Sequence, residues 1–444
     1  MSTIKGPKGK IIAGNLLEFR EDPLQFLDKL RSDYKDVAKV RFANRIIYVL
    51  MNPDLVKEAL VTKASSFEKS NQFKEIMPLV GEGLLTSEGD VHMRQRRMMQ
   101  PSFKKSTIQN YAESMSSVAS KAVEQWQNQD TRSINVDMMN IALGIICKTM
   151  FSMDVQESHE SIGQPIDDAM HIATKRIRSL IRVPYRIPTS ENKRFKAAIH
   201  ILDEVVYGII EHRRTLPYSE YEDLLAILLK TKDETDESYM NDQQIRDEAM
   251  TIFLAGHETT ANAMSWALYL LATHPEVQQK AQEEIDRVVG DSSLQLEHAE
   301  KLTYVKNIIN ESLRLFPPAW LFGRTAIDDV EIGDIKIKAG QNVLFSPYIN
   351  HRSEEFFDQP NTFIPERFEG DFLKTIPPYA YFPFGGGPRV CIGNHFAMLE
   401  ATIVLATVLQ KFTVSPVYPN QTVEAQPLIT LRPKGDLLLQ VMRR

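Results

Sequence analysis

Cysteine is scarce: the 444 residues contain two, Cys147 and Cys391. Two cannot build a disulfide framework, which excludes the small stapled scaffolds of secreted chains and suits a reducing, intracellular compartment. A large excess of either charge is lacking as well. Lys and Arg total 52 against 58 Asp and Glu, a formal net charge of -6, so no global basic field points to nucleic acid, and none is expected as a partner. The N-terminal stretch from Met1 to Asn15 carries Lys5, Lys8 and Lys10 but no apolar run long enough for a signal peptide or a spanning helix. No membrane anchor is expected, and the chain reads as soluble and cytoplasmic. Internal repeats, low-complexity tracts and long Gly/Ser linkers are missing too. One continuous unit over residues 1–444 is therefore expected, although length alone suggests roughly three domains. What is present is ordinary: 43% hydrophobic and 25% charged residues can bury a large core and exclude disorder.

Local patterning is mainly helical. Near the front, Val37 to Phe42 and Arg45 to Leu50 are rich in β-branched and aromatic residues and predict a hairpin turning at Ala43 and Asn44. The three-to-four spacing of apolar residues predicts helices over Ser106 to Asn128, Val136 to Met150, Asn192 to Arg214 and Ser219 to Lys230. The longest candidate is capped by Asn241 and Asp242 and runs to His274, where Pro275 opposes continuation. At 1.5 Å per residue it would be roughly 50 Å long. Its centre, Ala255 Gly256 His257 Glu258 Thr259 Thr260, puts a glycine and an acid between apolar turns. Glycine costs about 1 kcal/mol there and a buried carboxylate needs compensation, so the segment reads as functional.

The second landmark is Phe384 Gly385 Gly386 Gly387 Pro388 Arg389 Val390 Cys391 Ile392 Gly393. A glycine-rich loop lets the backbone fold tightly and aim amides at the Cys391 sulfur, and a following helix offers its positive N-terminal end; both favour the thiolate. A lone thiolate beside an arginine suggests an axial ligand to haem iron, with Arg389 available to a haem propionate. Cys147, in the apolar run from Ile141 to Phe151, reads as a buried inert thiol. The order F-x-x-G-x-R-x-C-x-G is met at every fixed position from Phe384 to Gly393, and with it the chain resembles the cytochrome P450 haem-thiolate monooxygenases.

That resemblance implies a mainly α fold with a smaller β-rich region and a long central helix crossing the haem, the whole chain forming one haem domain without a fused reductase. It implies haem b held by Cys391. The stretch from Ala255 to Thr260 matches the family's A/G-G-x-D/E-T motif. There Ala255 and Gly256 let the cofactor approach, Thr259 hydrogen-bonds dioxygen or a water beside it, and Glu258 is the proton source. Glu311 and Arg314 match E-x-x-R, and Arg367, in Pro365 Glu366 Arg367 Phe368, completes a buried Glu/Arg/Arg network serving folding and haem retention. Where relatives carry W-x-x-x-R this chain has His92 and Arg96; imidazole can donate to a propionate as indole does. Arg324 is similar to another propionate-binding arginine.

Four apolar stretches resemble the family's substrate contacts: Leu84 and Leu85; Phe253 with Ala255; Ala319, Trp320, Leu321 and Phe322; and Leu428 with Ile429. They favour a hydrophobic small molecule such as a fatty acid, terpenoid or steroid. The implied reaction inserts one atom of dioxygen into a C–H or C=C bond, with electrons from an external ferredoxin or flavodoxin and its reductase, in a monomer. A peroxide-driven peroxygenase or haem-thiolate isomerase is the alternative, which Glu258 and Thr259 argue against; a non-catalytic haem sensor is the third. The cluster Arg94, Arg96, Arg97, Lys104 and Lys105 is expected to dock an acidic electron donor.

Overall fold

The structure, a computed structural model, describes residues 4–153, 162–178, 183–216, 223–233 and 237–444. The chain forms two compact units: Met1–Asn71 with Asn310–Cys391 and Ala425–Arg432, and Gln72–Ile309 with Ile392–Glu424 and Pro433–Arg444.

The first unit is built on a five-stranded sheet. Its strands are β1 (Val37–Phe42), β2 (Arg45–Leu50), β3 (Phe67–Lys69), β4 (Phe322–Ala326) and β5 (Asn342–Phe345), in the order β1-β2-β5-β4-β3. The expected hairpin is present, with Ala43 at φ 53° in its turn. Only β2 and β5 run parallel. The run from Ile46 to Leu50 is continuously apolar because both faces of β2 are covered. Tyr48 and Leu50 enter one core with Val343, Phe345 and Phe382. Ile47 and Val49 enter another with Phe26, Leu30, Trp320 and Leu344.

The second unit is mainly helical. Its longest helix spans Asp242–Thr273, 32 residues, and Asn241 and Gln244 form a reciprocal capping box at its start. It stops before Pro275, the first residue of the next helix, Pro275–Val288. It packs along Ile134–Phe151. That partner is the one helix among the described residues long and apolar enough to cross a membrane, and every residue from Ile141 to Cys147 is buried in the protein, so it is a core helix here. The expected helix over Ser106 to Asn128 is instead two, Lys105–Gln109 and Ala112–Glu124. The break falls at Asn110 and Tyr111, where the Tyr111 ring packs edge-on to Phe396. Past Glu124 the chain buries Trp126 against Phe412 and enters a small sheet, in which Asp130–Ser133 pairs with Leu438–Arg443. The remaining expectations hold as Ser190–Arg214 and Leu224–Lys230, capped by Thr189 and Asp223; residues 219–222 lie outside the described residues. The final long helix is Asn394–Lys411.

Candidate active site

In the first unit, Cys391 closes a tight loop. Its amide donates to the Phe384 carbonyl at 3.0 Å, Gly385 N donates to Phe382 O, and Val390 N to Gly387 O. Gly387 sits at φ 66°, and a Cβ there would lie 1.8 Å from the Leu60 carbonyl oxygen, so neither the conformation nor the space admits another residue. Of the two cysteines Cys391 is exposed and Cys147 buried, as their surroundings in the sequence suggest. Arg389 donates to the Phe67 carbonyl at the start of β3. Arg324 lies opposite Lys69 in the β3–β4 pairing, largely buried, with its guanidinium on the Gly323 carbonyl and over the Phe322 ring. The short strand β3 thus meets Arg389 at its start, through the Phe67 carbonyl, and pairs at its end, at Lys69, with the residue Arg324.

The same unit holds the ion network. Arg314 meets Glu311 through two parallel bonds of 2.7 and 2.8 Å, and neither side chain has any exposure. The rest of the guanidinium donates to the carbonyls of His351, Pro360 and Thr362. Glu311 also accepts from the Ile364 amide, and Arg367 reaches it at 3.5 Å. These bonds fasten the stretch from His351 to Arg367 to the end of helix Thr303–Leu315. His351 is fully enclosed beside Arg314; burial and then that guanidinium hold its imidazole well below the usual range, and its Nε2 accepts from the Phe382 amide. Sequence reasoning passed over His351, which stands between Asn350 and Arg352 in a polar stretch and carries no mark of burial. Two of the expected substrate stretches also meet here, since Trp320 Nε1 donates to the Leu428 carbonyl and Leu431 N to Pro318 O. Leu321, Leu428 and Ile429 are half-buried, and Ala319 is exposed.

In the second unit, the middle of the long helix is buried except at Ala255, Gly256 and Thr259. Ala255 and Thr259 are one turn apart, so they share an accessible strip. The Thr259 hydroxyl donates to the Ala255 carbonyl at 2.7 Å, and Thr260 makes the same bond to Gly256 at 3.0 Å. Glu258 is buried beside the strip. Gly256 has a packing reason beyond the expected approach of a cofactor: a Cβ would stand 2.7 Å from Ile146 Cδ1 on helix Ile134–Phe151. Phe253, expected to face a substrate, has no exposed surface and stacks on Phe151 at 4.3 Å between ring centres. Its side chain leaves the helix on the core side, so it is core here. His92 and Arg96 are four apart on helix Gly89–Met99, His92 buried and Arg96 half-buried.

Glu400 is a further acid that sequence reasoning missed. It is fully buried on helix Asn394–Lys411, with both carboxyl oxygens outside hydrogen-bonding geometry. Burial pushes its carboxyl well above the usual range; the Thr260 hydroxyl opposes that push, but its hydrogen is directed to the Gly256 carbonyl. The signal was a lone acid inside the apolar run from Phe396 to Leu409. The expected docking cluster is also altered: Arg94 and Arg97 both pair with Asp233 at 3.0 Å, whose side chain is completely enclosed.

The residues fit a haem. Among the described residues no group of three or more His, Cys, Asp or Glu could hold a bare metal ion, whereas one exposed thiol suits a metal that brings its other ligands with it. Arginines on helix Gly89–Met99, on β4 and in the cysteine loop are of the type that binds carboxylates. A family model described as cytochrome P450 matches residues 4–439. Cyclooctatin synthase of Streptomyces melanosporofaciens is 32% identical over 431 residues, covering 96% of this chain and 92% of that protein. Cyclooctat-9-en-7-ol 5-monooxygenase of the same organism is 30% identical, covering 94% and 90%. Pentalenene oxygenase of Streptomyces avermitilis is 30% identical, covering 98% and 96%.

Proposed function

Because the chain belongs to the cytochrome P450 family and is thus a haem-iron monooxygenase, we propose that it hydroxylates a rigid, mainly hydrocarbon terpenoid with Cys391 as its thiolate ligand. The relatives' names support that substrate class, as do the apolar stretches around Leu84, Trp320 and Leu428. Bound haem supplies the oxidative chemistry, inserting one atom of dioxygen into the substrate and reducing the other to water. The chain's residues hold and feed it. Cys391 donates thiolate electron density; His92, Arg96, Arg324 and Arg389 bind the carboxylates, and Phe384 and Gly393 bracket the ligand loop. Ala255 and Gly256 leave room beside the long helix. Thr259, whose hydroxyl donates to the Ala255 carbonyl here, would be the hydrogen-bond donor beside bound haem, and Glu258 the acid that would supply its proton. Glu311, Arg314 and Arg367 keep the supporting segment in place. Leu84, Leu85, Ala319, Trp320, Leu321, Leu428 and Ile429 are assigned to substrate contact as the family's apolar stretches, and Phe253, stacked on Phe151, to the core.

Electrons come from a separate ferredoxin or flavodoxin with its reductase, and the enzyme works as a cytoplasmic monomer whose haem domain spans residues 1–444. The observation that carries this reading is the exposed Cys391 on a loop no larger side chain could form. Cys391→Ser is expected to abolish the red-shifted Soret band of the reduced carbon monoxide complex; survival of that band would overturn the ligand assignment. Turnover with dioxygen and an electron donor, against peroxide alone, separates the monooxygenase from a peroxygenase and from a sensor.

A further inference from the structure

The segment from Gly81 to Ser87 lies on the first third of the long helix and is fastened to it by two consecutive carboxylates. The Glu82 amide donates to Asp247 Oδ2 at 2.9 Å, and the Leu84 amide donates to Glu248 Oε2 at 2.9 Å. The backbone rests directly on the helix. A Cβ at Gly81, which stands at φ 60°, would fall 2.0 Å from the Asp247 carboxyl, and one at Gly83 would fall 2.2 Å from Thr251 Oγ1. The segment is closed on itself as well, because the Thr86 hydroxyl donates to the Gly81 carbonyl at 2.6 Å. Gln95 holds the Glu82 carbonyl from helix Gly89–Met99. Asp247 in turn accepts from Arg246, which pairs with Asp203 on helix Ser190–Arg214.

Glu248 has no exposure. A carboxylate enclosed inside a helix is costly unless it is bonded, and a charged acceptor binds an amide more strongly than a neutral one. A fold that needed only apolar packing here would carry leucine. We propose that Glu248 is a positioning residue for substrate selection: with Asp247 it holds the Leu84 and Leu85 segment at a set distance from the long helix, making that side of the pocket a fixed wall. A fixed wall admits one size and shape of apolar ligand. This rests on the reading above that assigns Leu84 and Leu85 to substrate contact.

The test uses the full-length haem-loaded enzyme and two iron-binding probes, imidazole, a small ring alone, and clotrimazole, an imidazole that carries a bulky triaryl group. Glu248→Leu is expected to change the clotrimazole dissociation constant about tenfold or more while imidazole stays within about twofold, and to speed amide exchange in residues 81–87 by about tenfold. Glu248→Gln keeps an acceptor oxygen, though a neutral one, and should reduce both effects to about threefold. If Leu84→Ala alters clotrimazole binding and Glu248→Leu does not, the wall stands and the positioning role is overturned. If neither alters it, Leu84 is not in the pocket, and both readings fall. Should Glu248→Leu not fold, Glu248→Gln decides: exchange in residues 81–87 should still rise by about threefold, since a neutral acceptor is weaker, and no rise overturns the inference.

Discussion

Arg314 and Arg367 approach the same carboxylate with unequal geometry. Arg314 makes two short bonds to Glu311 and three to main-chain carbonyls with no exposure, whereas Arg367 stands at 3.5 Å. Removing Arg314 leaves the buried Glu311 carboxylate with only the Ile364 amide and the more distant Arg367, and takes the guanidinium donor from three carbonyls. Arg314→Ala should therefore cost about 3–5 kcal/mol and much of the bound haem, and Arg367→Ala about 1–2 kcal/mol; thermal unfolding and haem content check the order. Glu400 makes the second residue-scale case. Burial holds its carboxyl well above the usual carboxylate range, so the folded state holds a proton that the unfolded chain releases. The stability this contributes is complete below about pH 4.5 and is lost as pH rises through the folded value. Glu400→Gln, which mimics the neutral acid, should flatten that alkaline decline, and melting temperature against pH for the two proteins would show it. Parallel curves would mean that Glu400 is ionised in the fold.

At the scale of the element, the long helix tolerates a glycine because another helix lies against it. Gly256→Ala improves helix propensity by about 1 kcal/mol, yet its Cβ would press within 2.7 Å of Ile146 Cδ1. Overpacking of this kind costs about 1–3 kcal/mol, so Gly256→Ala alone should be neutral to destabilising. Adding Ile146→Val removes the opposing methyl. The double variant is then expected to be more stable than the sum of the two single changes, by denaturant unfolding of all four proteins. Additive effects would place the strain elsewhere.

At the scale of the whole molecule, the net charge of -6 makes any basic docking face a local matter. Asp233 claims Arg94 and Arg97, while Lys104 and Lys105 keep exposed side chains, Lys105 with only a distant partner in Glu300 at 4.0 Å. The two pairs should therefore separate by assay. Arg94→Gln with Arg97→Gln should lower stability by about 3–5 kcal/mol by removing both guanidiniums from a buried carboxylate. Lys104→Gln with Lys105→Gln should leave stability within about 0.5 kcal/mol and slow reduction by an acidic ferredoxin at low salt. An unchanged reduction rate would move the docking face away from these lysines.

Sequence alone determined the elements whose causes are local. The capped long helix, the Val37–Leu50 hairpin and the Glu311–Arg314 pair all follow from periodicity, caps, turn residues or three-residue spacing, which act over a few positions. Whatever depends on a partner distant in the chain was decided by the tertiary structure. Phe253 sits on the core side because Phe151 is there, and Gly256 is small because Ile146 approaches it. Arg94 and Arg97 were free cations in the sequence and are ion-paired in the fold, since Asp233 arrives from more than a hundred residues away. Glu400 passed as one more helix acid until burial on every side made its proton part of the fold. The clasp of Asp247 and Glu248 on the Gly81–Ser87 segment was equally hidden, because its partners are main-chain amides, and those carry no mark in the sequence of residue names.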